Sequence, residues 1–103
     1  MKTPKSVKIG PLRFSVTTFK PENEAIGDVS FNECRIRIAN TCKQVQQETL
    51  LHECMHMLFF ICGRKELADD EQLVSAISPQ LLCMLRDNPD MVKYLMEQKK
   101  ETT

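Results

Sequence analysis

The chain has 103 residues, 42% of them hydrophobic, with 14 basic residues against 14 acidic ones. That length suits one domain with one modest core, and the even charge excludes the basic surplus of a general nucleic-acid binder. The longest apolar run, Met57 to Cys62, falls far short of the roughly 20 residues of a membrane span, and no apolar stretch follows the first lysines as a secretion signal requires. Composition therefore predicts a small soluble domain over residues 1–103, cytoplasmic, with no nucleic-acid or membrane partner.

Residues 1–39 read as a sheet region. Val7-Lys8-Ile9 and Leu12 to Val16 alternate apolar with polar residues, the pattern of half-buried strands. Gly10-Pro11 reads as a bulge or tight bend between these two pieces. Lys20 to Glu24 reads as a loop, and Gly27-Asp28 as a turn. Val29 to Phe31 and Cys34 to Ile38 then form an expected hairpin bent at Asn32-Glu33. Cys34, Ile36 and Ile38 face one side of their strand; Arg35 and Arg37 face the other.

Residues 40–103 read as helical. Asn40 or Thr41 can cap a first helix, with Gln44 placed to complete a capping box after Thr41. No Pro or Gly interrupts Cys42 to Cys62, and Gly63 supplies a stop. The spacing predicts a helix of about 20 residues, roughly 30 Å long. A second helix is expected from Asp69, with Asp69 and Gln72 as its cap and Leu73, Val74, Ile77, Leu81, Leu82 and Leu85 as its apolar positions. Pro79 should kink or split it. Asn88-Pro89 opens a last helix to about Lys99. The expected fold class is α+β: a small antiparallel or mixed three-stranded sheet followed by three helices.

Five cysteines, Cys34, Cys42, Cys54, Cys62 and Cys83, occur with no C-x-x-C pair. An odd count argues against a disulfide framework, and buried free thiols are the default. Cys54 is expected to pack against the sheet, and Met55, Met57 and Leu58 to join the core.

The chemistry lies in His52-Glu53-Cys54-Met55-His56, an H-E-x-x-H motif within the long helix. Residues four apart share a helix face, so both imidazoles can reach one metal ion. Glu53 is rotated by about 100° from His52, placing it to act on a metal-bound water instead of binding the metal. Zinc lowers the pKa of that water to about 7 and polarises a carbonyl. The carboxylate then takes the proton as general base and passes it to the leaving amine. Chance placement of the two histidines four apart, with Glu after the first, is about 0.2%, so the motif outweighs coincidence. Val45 and Thr49, on the histidine face, are expected to line the cleft floor.

Catalytic zinc needs a third protein ligand and one open position. No third histidine exists, so Glu66, Asp69, Asp70 and Glu71 are the nearby candidates. An acidic helix start interacting with the helix dipole explains Asp69 and Asp70 without a metal. Glu71 would stand in the first turn of the next helix, folded back antiparallel across residues 63–68, with Leu67, Val74 and Ile77 toward the core.

The motif with a following helical Glu resembles the gluzincin group of zinc metallopeptidases, to which thermolysin belongs. The chain is more closely similar to small metallopeptidase-like proteins of phages and prophages. The resembling stretches are Gly27-Asp28, Cys34 to Ile38, Thr49-Leu50-Leu51 running into HECMH, Asp70 to Ser78, and Leu85 to Pro89. The resemblance implies a minimal zincin-like domain that hydrolyses peptide bonds of a protein or peptide substrate with one Zn2+ per chain. His52, His56 and Glu71 would be its ligands and Glu53 its base. It also implies an edge strand above the active helix that pairs with extended substrate, here Cys34 to Ile38, making Arg35, Ile36, Arg37 and Ile38 substrate-binding. Ser75 replaces the aspartate that orients a ligand histidine in thermolysin-like enzymes. No histidine remains as electrophile, which leaves Tyr94, Arg35 or Arg37. The alternatives are a catalytically inactive zinc-binding regulatory or interaction module, closed by a fourth ligand such as Cys34 or Asp70, and a metal-free helical interaction domain.

Overall fold

A computed structural model describes residues 2–21 and 25–98. Four strands, β1 (Ser6–Ile9), β2 (Leu12–Phe19), β3 (Gly27–Ser30) and β4 (Arg35–Ala39), precede four helices, α1 (Lys43–Ile61), α2 (Lys65–Ala68), α3 (Glu71–Asp87) and α4 (Pro89–Met96), among the described residues. The expected three strands and three helices are therefore wrong. The domain is α+β, with a four-stranded mixed sheet ordered β1-β2-β4-β3.

Two local features account for the difference. Gly10-Pro11 does not bulge one strand but turns the chain, since Ile9 pairs with Leu12 and β1 runs antiparallel to β2. Gly10 takes φ +58 and proline holds Pro11 near −65°, the φ signs of a type II′ hairpin turn. The connection after Gly63 holds the single-turn helix α2, too short for any periodicity to announce.

β2 pairs parallel with β4, Val16 opposite Ile36, and β3 pairs antiparallel with β4, Gly27 opposite Ile38. Gly27-Asp28 thus opens an edge strand and is not a turn. Cys34 to Ile38 is not the edge strand that the resemblance implied, because β4 lies between β2 and β3. Ile36 and Ile38 are fully buried, and period-two alternation puts Arg35 and Arg37 on the opposite face. Arg37 forks across to both carboxylate oxygens of Asp28, its register partner.

One face of the sheet carries the core. Ile9, Phe14, Val16, Ile36 and Ile38 pack with Met57 of α1, and Leu50, Cys54 and Ile61 of the same helix close over them. Met55 is buried as well, but Leu58 is exposed and does not join the core.

The helix ends depart from expectation in detail. Cys42, not Asn40 or Thr41, caps α1, without a side-chain hydrogen bond. Thr41 Oγ1 donates instead to the Ala39 carbonyl. At the other end the Arg64 amide reaches the Phe59 carbonyl and the Gly63 amide reaches Phe60, with Gly63 at φ +80. This is a Schellman stop, and Gly63 takes it without a Cβ penalty. Asp70, not Asp69, caps α3, accepting from the Leu73 amide. Pro79 neither splits nor ends α3; it forfeits only the amide bond toward Ser75, and packing of fully buried Val74 and Ser78 holds the helix through it. α4 stops at Met96, where Glu97 is extended. Its expected end at Lys99 lies outside the described residues. Free cysteines at all five positions agree with the absence of a disulfide framework, though Cys42, Cys62 and Cys83 are exposed, not buried.

Candidate functional site

The site is built where α1, α3 and the edge strand meet. α3 returns antiparallel to α1, and Arg86 near its end donates to the Gln47 side chain near the start of α1. That orientation brings the first turn of α3 beside the second histidine. His52 and His56 present their Nε2 atoms 3.2 Å apart. The two Glu71 carboxylate oxygens stand 2.8 Å from His52 Nε2 and 2.8 Å from His56 Nε2. The three residues form the group of potential metal ligands found among the described residues.

These separations suit zinc. Tetrahedral ligands at about 2.0–2.1 Å from a metal stand about 3.3 Å from one another, so small outward shifts of Glu71 would seat an ion. The other acidic candidates are engaged elsewhere: Glu66 with Arg64, Asp69 with Lys65, and Asp70 as the α3 cap. Neither Cys34 nor Asp70 joins the cluster; the Cys34 thiol donates to the Phe31 carbonyl. Among the described residues the cluster supplies three donors, the protein-ligand number of catalytic zinc sites, where closed structural sites have four.

Supporting contacts orient the donors. The Ala68 carbonyl at the end of α2 lies 2.6 Å from His56 Nδ1. Since a carbonyl only accepts, Nδ1 carries a proton, which leaves Nε2 as the ring atom that would offer its lone pair to a metal. Ser75, which replaces the histidine-orienting aspartate of thermolysin-like enzymes, supports the Glu71 carboxylate instead. Its hydroxyl donates to Glu71 Oε1 at 3.3 Å, one helical turn away.

Glu53 sits at the floor of the cleft, 7% exposed. Burial pushes its carboxyl up to about 7, against the opposing pull of His56 and with smaller upward pushes from Glu71 and Asp28. Gly27 makes this seat possible. A methyl there would stand 2.5 Å from Thr49 Cγ2, 3.0 Å from the Arg37 carbonyl and 3.5 Å from Glu53 Oε2. Only glycine lets β3 lie this close above α1. Cys54 faces the core, where burial raises its thiol to about 11, well away from any ligand or nucleophile role.

The cleft encloses about 670 Å³ and is lined by residues of β3, α1, Ala68, Asp69, Glu71 and Ser75. Thr49 is part of it; Val45 is not. Arg35, Ile36, Arg37, Ile38 and Tyr94 do not line it. Tyr94 is 75% exposed on α4, Arg35 pairs with Glu33 and Arg37 with Asp28. The expected electrophiles are thus outside the cleft. Sequence reasoning missed the Gly27 seat, the Ala68 carbonyl and the wall formed by Val29, Phe31 and Phe60. The glycine that opens β3 was the one signal for the first; nothing in the residue types announced the second.

No family model matches the chain, and neither the curated proteins nor the solved structures contain a significant match. Among the described residues, no helix is long and apolar enough to cross a membrane.

Proposed function

We propose that this chain is a zinc-dependent metallopeptidase domain acting on protein or peptide substrates in the cytoplasm of a bacterial or phage-infected cell. The observation that carries the reading is the convergence of His52, His56 and Glu71 in a cleft floored by the buried Glu53 carboxyl. Zinc held there would supply a Lewis acid that polarises a substrate carbonyl and brings bound water to a pKa near 7.

The remaining steps belong to the chain. Glu53, shielded from solvent, takes a proton from the attacking water and delivers it to the departing amine nitrogen. His56 holds its donor nitrogen inward through Ala68, and Ser75 steadies Glu71. β3 is an edge strand of the sheet among the described residues, and its outer edge would offer backbone groups to an extended substrate chain. A thiol-rich chain without disulfides suits a reducing compartment.

One observation favours the alternative, a zinc-binding regulatory module that does not turn over: no Lys, Arg or Tyr lines the cleft among the described residues to stabilise a developing oxyanion. The test is hydrolysis of fluorescein-labelled casein by the zinc-loaded chain beside a Glu53→Gln blank. Cleavage lost in the blank supports the peptidase. Zinc bound at one per chain with no cleavage supports the binding module.

A further inference from the structure

An apolar platform stands beside the candidate metal ligands. Phe60 follows His56 by one helical turn and lies on the same face of α1. Its ring meets that of Phe31 at 4.7 Å between centroids, tilted by 47°. Val29, on the α1 side of the edge strand, and Met57 complete the wall, and all four residues line the same cleft as Glu53, His52 and His56. Phe31 follows directly on β3, is 42% exposed, and is absent from the core cluster. An exposed aromatic ring in a cleft, continuous with a buried carboxyl, marks a ligand contact more than a folding contact.

Resting on the hydrolase reading of this cleft, we infer that Phe31 and Phe60 form a specificity subsite for a bulky apolar side chain within a peptide segment. The lining chemistry argues for chain interior over chain end. No Lys or Arg lines the cleft among the described residues, whereas Asp28, Glu48 and Asp69 do. A free C-terminal carboxylate or a phosphate would find no cationic side chain to pair with there, whereas a neutral side chain needs none. The occupant is therefore an internal Phe, Leu, Ile or Met, held on the aromatic pair while its backbone runs along β3.

The experiment uses the zinc-loaded full chain carrying Glu53→Gln, presented with a mixed library of acetylated, amidated octapeptides. The retained peptides should be enriched in Phe, Leu, Ile and Met over the input. Adding Phe31→Ser, on an exposed turn, should reduce affinity for those peptides about tenfold or more, with zinc stoichiometry and melting temperature kept. A matched octapeptide with a free carboxylate beside the apolar residue should bind more weakly than its amide. Retention without apolar enrichment, no retention at all, or Phe31→Ser binding unchanged would each overturn the subsite. Incubating the wild-type chain with the same library separates the two claims: apolar enrichment with no cleavage would sink the peptidase reading and leave the subsite standing.

Discussion

The Ala68 carbonyl and His56 Nδ1 lie 2.6 Å apart, and this contact decides which imidazole nitrogen faces Glu71. It depends on α2, the single turn that Arg64 and Lys65 brace through ion pairs with Glu66 and Asp69. The short connection between the motif helix and α3 is thus part of the site's geometry.

Ser75 extends the same logic to the third ligand. Removing its hydroxyl frees Glu71, whose side chain is 65% exposed. Ser75→Ala should weaken zinc binding about tenfold, the usual cost of losing an outer-shell partner, with secondary structure unchanged. Competition against a chromophoric chelator measures it; an unchanged dissociation constant would show that Glu71 needs no support.

Gly27→Ala should destabilise the fold by about 1–3 kcal/mol, the cost of overpacking a close contact, because the new methyl meets Thr49 at 2.5 Å. Urea titration reads the loss. Displacement of β3 should also lower hydrolytic activity out of proportion to the fraction unfolded. A variant as stable as wild type would mean that the strand and helix are not held this tightly.

The physical reasons for what the sequence revealed are uneven. The motif was legible because four-residue spacing on a helix is a purely local constraint, whereas Glu71 was singled out chiefly by the resemblance, since Glu66, Asp69 and Asp70 stand just as near in sequence. The strand order was not, since β4's place between β2 and β3 is decided by long-range pairing that leaves no trace in alternation. Arg35 and Arg37 were rightly read as facing away from Ile36 and Ile38, yet their strand was misplaced at the edge. Leu58 shows the same limit: its apolar type suggested core, but its position on α1 points it to solvent.

Glu53→Gln should reduce the hydrolysis rate by at least about 100-fold, the usual worth of a positioned general base, while zinc stoichiometry stays at the wild-type value. Rates on labelled casein and metal analysis on the same samples decide it. Residual activity near wild type would remove Glu53 from the chemistry.

Cys54 gives a pH prediction. Burial raises its folded thiol from 9.0 to about 11, so folding favours the protonated form. The associated stability is complete below about pH 9 and is lost as pH rises through about 11. Cys54→Ala should flatten that alkaline decline in melting temperature. At pH 8, iodoacetamide should modify exposed Cys42, Cys62 and Cys83 well before Cys54, as peptide mass spectrometry would show. Equal labelling would contradict the burial.

The most direct test of the metal centre is the zinc content of the purified chain, prepared without chelator or histidine tag, beside His56→Ala and Glu71→Gln. The convergent geometry of His52, His56 and Glu71 predicts one zinc per chain in the wild type and its loss in both variants, with the fold retained by circular dichroism. Absence of stoichiometric zinc after zinc is added back, or its full retention by either variant, would contradict the site.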